Sequence, residues 1–277
     1  MISVIVPAHN EEAVIRRNLY ALTKGAKTSE LEVIVVCNGC EDSTAQEARK
    51  VAGPIQVVET SIASKTNALN LGDRLATGFP RFYVDADLVF CFSDLLRVAA
   101  VLEENGFLAA APEFEFNLSQ SSRAVKAYYR VWKTMPYFDT GRIAGAYGLS
   151  REGRSRFGVF PEVTSDDGFV RLQYAPHERV TVHESSVLVN APKTLLHLIK
   201  IKTRSHGGSS ELRKKYPALF SNETASPLKS LKRIFDCGLP FYDVAVYFFV
   251  SCYAKLRGRI NRLSGSRIWE RDESSRY

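Results

Sequence analysis

The sequence predicts an α/β fold, a mostly parallel sheet flanked by helices, followed by a helical, basic C-terminal extension. Three observations carry this. Short β-branched runs alternate with amphipathic stretches over residues 1–104, the pattern of strands joined by crossover helices. Polar clusters stand at the ends of successive apolar runs, where such sheets bind their ligands. The charge is split: residues 191–277 hold 17 Lys/Arg against 7 Asp/Glu, and residues 1–190 hold 20 against 23.

The elements follow in order. Residues 2–6 form a β-branched run closed by Pro7, and Val14, Ile15, Leu19 and Leu22 then recur at helical spacing within 11–24. Residues 31–37 read as a second strand, Asn38-Gly39 as its turn, and a helix runs on to about Val51. A third strand at 55–58 precedes an amphipathic stretch at 65–76. The fourth strand, 81–84, ends at Asp85-Ala86-Asp87, and a helix covers 93–104. The second half is less regular: a long helix over 119–138, a strand over 142–149, a short helix over 166–173 and a strand over 180–189. The remainder reads as helical. Ser226-Pro227 is a helix start signal, with Leu228, Leu231, Ile234 and Phe235 on one face and Lys229, Lys232 and Arg233 opposite.

With 45% apolar and 24% charged residues in 277, the chain is neither disordered, collagenous nor a disulfide scaffold. Five cysteines form an odd, sparse set that fits a reducing compartment. The opening MISVIVPAHNEE has no signal-peptide pattern, so a cytoplasmic protein is expected. The longest conspicuous uncharged apolar stretch is 244–254, eleven residues, against the roughly twenty a spanning helix needs. A surface position on a membrane is open to it; a span is not. The basic final third places any anionic partner there. Aromatic–basic interleaving of the RNA-binding kind is missing, so no nucleic-acid partner is expected.

Several clusters bear chemistry. Asp85 and Asp87 project to one side if the strand continues, and could hold a hard divalent cation completed by phosphate oxygens; the alternative is a turn residue and a helix cap. Cys37-Asn38-Gly39-Cys40 lacks a second pair at zinc spacing, and reads as two small residues around a tight turn. Asp166-Asp167 opens a helix, either complementing its dipole or supplying a general base. Lys65, Asn67 and Asn70 line a polar face that is solvated or touches a diphosphate. His206-Gly207-Gly208, after Lys200, Lys202 and Arg204, reads as a flexible phosphate-binding loop or a linker, with His206 a further metal-ligand candidate. Trp132 and Trp269 read as packing residues.

Taken in order, VIVPAHNEE (4–12), VVCNGCEDST (35–44), SKTNALNLG (64–72), VDADLVF (84–90), GAYGLS (145–150) and SDDGFVR (165–171) resemble family 2 glycosyltransferases, which have the Rossmann-like GT-A fold. The resemblance covers about residues 1–210, a catalytic domain, and leaves 211–277 as an extension for a membrane surface or an oligomer contact such as a homodimer. IWERDESSR (268–276) is also similar to the tail of some bacterial members.

The resemblance implies an inverting transferase that moves one sugar from a nucleotide-diphosphate sugar to an acceptor hydroxyl, which a lipid could carry, in cell-surface polysaccharide or glycolipid assembly. It implies that Asp87, with Asp85, meets a Mg2+ or Mn2+ ion and the donor. Pro7, His9, Asn10, Glu11 and Asn38 would surround the nucleoside, and Lys65 would lie near the donor. Asp167, or its neighbour Asp166, would deprotonate the acceptor. The chemistry agrees: a metal neutralises the leaving diphosphate, and one base acting in line gives inversion. Three departures stand out. Asn38 replaces the family's common Asp, Asp166-Asp167 replaces Glu-Asp, and the Gln-x-x-Arg-Trp of processive synthases is replaced loosely by Lys200, Lys202 and Arg204. A single addition is therefore expected. The competing classes are a sugar-nucleotide synthesising nucleotidyltransferase, which should show a Gly-rich loop after the first strand, and a silent scaffold, which should have lost its acidic pairs.

Overall fold

A computed structural model of the chain describes residues 1–139, 141–223 and 227–263. They fall into two compact units: residues 1–115, 141–162 and 173–189 in one, and 116–140, 163–172 and 190 onward in the other.

The strands are β1 (Ile2–Ala8), β2 (Leu31–Asn38), β3 (Ile55–Thr60), β4 (Arg81–Val84), β5 (Val89–Phe90), β6 (Ala109–Asn117), β7 (Ala146–Leu149) and β8 (Arg179–Asn190), in sheet order β3-β2-β1-β4-β7-β6-β8-β5. Strand β1 pairs in parallel with β2 and β4, and β2 with β3; β7 then runs antiparallel to β4 and β6. The chain leaves β1 for β2 and β3 on one side and returns as β4 on the other. That reversal opens a crevice at the carboxyl ends of β1 and β4, the usual ligand position in such sheets.

The helices are α1 (Ile15–Thr23), α2 (Thr44–Arg49), α3 (Lys65–Leu75), α4 (Phe92–Glu104), α5 (Arg123–Trp132), α6 (Arg151–Ser155), α7 (Asp166–Arg171), α8 (Leu195–Lys215), α9 (Pro227–Asp236) and α10 (Phe241–Leu263). Every residue of β1 is buried. Helix α3 starts at Ser64, whose hydroxyl accepts from Asn67 N, and lies so close to β1 that a Cβ on Gly72 would meet Ile5 Cγ2 at 2.6 Å. On the same helix, Asp73 accepts from Arg81 (2.8 Å), Arg154 (2.6 and 3.0 Å) and Tyr83 (2.6 Å), joining α3, β4 and α6.

The second unit is helical. Val125, Tyr128, Tyr129, Leu198, Ile199 and Val250 form one buried cluster from α5, α8 and α10, with Trp132 against it. Helix α9 contributes Ile234 to another, beside Val131 and Met135. Arg130 binds Asp243 through two nitrogens, at 2.5 and 2.7 Å.

Three expectations need correction. The helix over 119–138 is only α5, because Asn117 Oδ1 holds a turn at Ser119, Ser122 sets the start, and Pro136 breaks the end into a 3-10 turn. The strand over 142–149 shortens to β7, since Gly145 is left-handed (φ +59°). Residues 206–208 are not a loop; they lie inside α8. Strand β6 and helix α6 were not anticipated. Ser226, Trp269 and the segment 268–276 lie outside the described residues. Among those described, no helix is long and apolar enough to cross a membrane.

Candidate active site

In the first unit the crevice is built by the segments after β1, β2 and β4. His9 Nδ1 lies 2.6 Å from the Asn38 carbonyl. Asn10 is left-handed (φ 52°), and its Oδ1 accepts from Glu41 N at 2.9 Å. Glu11 N donates to Thr44 Oγ1 at 2.7 Å, and the Glu11 side chain is buried. Asp42 accepts from Thr44 and from Glu12 N; burial pushes its carboxyl up, but these bonds outweigh it and hold the group below its ordinary value. The two loops therefore fix each other. Pro7, within β1, pairs with Val36 and is buried.

The Asn38 side chain is buried, and its Nδ2 donates to Ala8 O at 2.8 Å. Gly39 is left-handed (φ +57°), and a Cβ there would sit 2.7 Å from Ala63 Cβ, so the turn admits only glycine. The flanking thiols of Cys37 and Cys40 hydrogen bond each other, which raises Cys37 and lowers Cys40 to about 6. Both are free.

At the β4 end, regular pairing stops at Val84, so the strand ends where the sequence places its end and the carboxylates stand beyond it. Asp85 and Asp87 are half-buried, while Ala86 and Leu88 between and beyond them are buried. The turn is held from three directions. Asp85 N donates to Gly145 O (2.7 Å), Asn18 Nδ2 of α1 donates to Ala86 O (2.6 Å), and Lys65 Nζ of α3 pairs with Asp85 Oδ1 (2.7 Å). Asn70, read as part of a polar face, instead binds both backbone groups of Phe160, at 2.9 and 2.8 Å. Among the described residues no three His, Cys, Asp or Glu gather for a metal. Two carboxylates one residue apart still fit a magnesium-like ion, which takes few protein ligands and completes its shell with phosphate and water.

The second unit carries the other acidic pair. Asp166 is buried, whereas Asp167 is half-buried. Asp167 Oδ1 accepts from the Ser165 hydroxyl (3.1 Å) and from Gly168 N (2.7 Å), and Oδ2 takes neither bond. Arg171, at the end of α7, pairs with Glu223 (2.7 Å). Gly208 earns its place by contact: a Cβ there would meet Ser165 Cβ at 2.9 Å, so α8 can approach the start of α7. Lys202, expected in a phosphate-binding loop, is buried with its ammonium 3.4 Å from the Trp132 ring centre. His206 sits on α8, where burial first, and Lys255 and Lys202 next, push its pKa down to about 4, leaving it neutral at pH 7.

Of the residues that position the site, the sequence marks Asn70 only as part of a polar face and Gly145 only within the GAYGLS motif, and Asn18 is missed. Asn18 has a local sign, a polar residue on the face that carries Val14, Ile15, Leu19 and Leu22.

The profile described as "Glycosyl transferase family 2" matches residues 3–164. The chain belongs to that family. The match holds the whole β1–β4 crevice and stops just before Asp166-Asp167. Solved glycosyltransferases share the fold. A mannosyltransferase from Pyrobaculum calidifontis, in complex with GDP-Man and Mn2+, superposes with a TM-score of 0.63 at 21% identity, over 96% of this chain and 76% of that one. Glucosyl-3-phosphoglycerate synthase from Mycobacterium tuberculosis, with Mn2+, UDP and phosphoglyceric acid, gives 0.55 at 20%, over 78% of each chain. S. aureus TarS 1-349 gives 0.52 at 15%, over 96% of this chain and 92% of that one. No curated protein matches the sequence. Fold and family leave the donor and acceptor open.

Proposed function

We propose that this family 2 glycosyltransferase is an inverting, divalent-metal-dependent enzyme that moves one sugar from a nucleotide-diphosphate sugar to an acceptor hydroxyl. The observation that supports the reading is the carboxylate pair at the β1/β4 switch point, with Asp85 and Asp87 both half-buried and Lys65 paired with Asp85. Bound Mg2+ or Mn2+ would be held by Asp87 and Asp85 and would supply charge neutralisation for the leaving diphosphate. Lys65 adds a cation to the same place. His9, Asn10, Glu11 and the rigid Asn38 turn form the nucleoside side, where Asn38 Oδ1 is available to the base.

Asp167 is the proposed base. Its Oδ1 is anchored by Ser165 and Gly168 N, which orients the carboxylate and leaves Oδ2 to take a proton from the acceptor. Asp166, buried next to it, supports α7. The catalytic region is taken to run to about residue 210. An acceptor carried on lipid, in surface polysaccharide or glycolipid assembly, would put the enzyme peripherally on the inner face of the cytoplasmic membrane.

The test is a screen of nucleotide sugars for Mn2+- or Mg2+-dependent hydrolysis and for thermal stabilisation. Stabilisation by one nucleotide that disappears in Asp87→Ala, with the fold intact, is expected. Equal stabilisation and hydrolysis in chelator would remove the metal-dependent mechanism. Release of diphosphate from a nucleoside triphosphate and a sugar phosphate would favour the nucleotidyltransferase class instead.

A further inference from the structure

Helix α10 is apolar on two opposite faces, and only one of them is used. Val250 and Ala254 are buried, Val246 and Tyr247 pack with α5 and α8, and Asp243 is buried against Arg130. Gly258 continues this inward stripe with its α-carbon side near the α8 backbone: a Cβ would lie 3.4 Å from Thr203 O. Tyr247 fills the inward side nearer the helix start, and the small Ala254 and Gly258 bring the second half of α10 close to α8. Other bulky side chains are exposed. Phe241 is 87% exposed, Phe249 56%, Leu256 56% and Ile260 55%, with Phe248 and Tyr253 exposed beside them. Their spacing of 241, 248/249, 252/253, 256 and 260 marks one stripe along the helix. A continuous apolar face of this kind marks an interaction surface.

The charges around the face choose its partner. Residues 227–263 hold seven basic side chains and two acidic ones. Of the two, Asp243 is turned inward, so no carboxylate of α10 accompanies the outward stripe. Lys255 and Arg259 are exposed next to Leu256 and Ile260, and on α9 Lys229 and Lys232 are exposed beside Leu228, Leu231 and Phe235. In a two-fold pair of chains the same patch meets itself, and its one exposed carboxylate, Asp236 of α9, is outnumbered by Lys229, Lys232, Lys255 and Arg259. Anionic headgroups would neutralise those cations while the rings and aliphatic tips enter the acyl boundary.

We infer that the outward face of α10, from Phe241 to Ile260, with the exposed residues of α9, is an interfacial docking surface for an anionic lipid bilayer. It deepens the peripheral-membrane part of the functional reading and requires no sugar transfer, so the two fail separately.

The experiment is co-sedimentation of the full chain with vesicles, phosphatidylcholine alone or with about a third phosphatidylglycerol, at low and high salt. Binding is expected only with the anionic lipid, weakening about tenfold or more in high salt. The double variant Phe249→Glu/Leu256→Glu should lose at least about tenfold in vesicle affinity while keeping its melting temperature and its stabilisation by nucleotide and Mn2+. Lys255→Gln/Arg259→Gln, which leaves the apolar stripe whole, should lose affinity and salt dependence together. Absence of binding to anionic vesicles at low salt would overturn the inference, as would binding indifferent to both variants. So would a dimer in sedimentation velocity that Phe249→Glu/Leu256→Glu dissolves, since a second copy would then own the face. Vesicle binding without any nucleotide stabilisation would keep the docking surface and remove the transferase reading.

Discussion

Asn38→Asp is the substitution on which the donor pocket can be tested most sharply, because the family's common residue there is Asp. In this chain Asn38 Nδ2 points at Ala8 O (2.8 Å), with Val36 O at 3.5 Å, and the side chain is buried. A carboxylate would replace that donor with an acceptor facing carbonyl oxygens. The lost bond costs about 1 kcal/mol, and a buried charged group left unsatisfied adds about 1–3 kcal/mol. At roughly 2–4 °C per kcal/mol for a chain of this size, the melting temperature should fall by roughly 5–15 °C near neutral pH.

The pH dependence has a definite sign. Burial and the facing carbonyls raise the introduced carboxyl's folded pKa above its unfolded value of about 3.9. Below that value both states are protonated, the acid hydroxyl donates to Ala8 O, and the penalty is absent. As pH rises toward the folded pKa the penalty grows, then levels off. Urea unfolding of Asn38→Asp and wild type from pH 4 to 8 measures the gap directly. Asn38→Ala serves as the uncharged control, with a loss of about 1 kcal/mol that is flat with pH. A pH-independent gap, or none at pH 8, would refute the donor role of Asn38 Nδ2 and open the pocket to the family's usual carboxylate.

Asp167→Asn should lower turnover by roughly two to four decades with nucleotide affinity unchanged; if Asp166→Asn is the crippled variant, the roles are exchanged. Asp73→Ala should destabilise by about 3–5 kcal/mol, because it strands Arg81 and Arg154 together, read as a lower urea midpoint. Burial raises the Asp73 pKa, but the bonds from Arg154, Tyr83 and Arg81 bring it below its ordinary value. Its contribution is thus present above the unfolded pKa of about 3.9 and is lost as pH falls through the folded one, so wild type and Asp73→Ala should converge in acid. Gly208→Val should disturb α7 through Ser165, lowering turnover while nucleotide stabilisation in the first unit persists.

What was legible in the sequence follows from how each signal arises. Strands β1, β2 and β4 are buried on both faces, so their β-branched runs announce them, and a strand-end carboxylate pair is local in sequence. Strand β6 reads AAAPEFEFN, where small residues and a proline mask the pattern. The ties that fix the site join residues far apart: Asn18 to Ala86, Asp85 to Gly145, Asn70 to Phe160. No local window contains them.

Glycine is the residue whose role is hardest to read from sequence alone. Gly207-Gly208 read as flexibility, yet Gly208 is there because Ser165 comes too close for a side chain. Gly258 on α10 works the same way against α8. This also explains why the 244–254 stretch could not be divided from sequence: both faces are apolar, and hydrophobicity alone does not say which is inside. Size does. Ala254 and Gly258 fit a close helix contact, and Phe249, Tyr253 and Leu256 do not, so the larger apolar side chains are left at the surface. In a helix packed through its small residues, exposed aromatic bulk is a consequence of the contact, and it leaves a face that water does not favour.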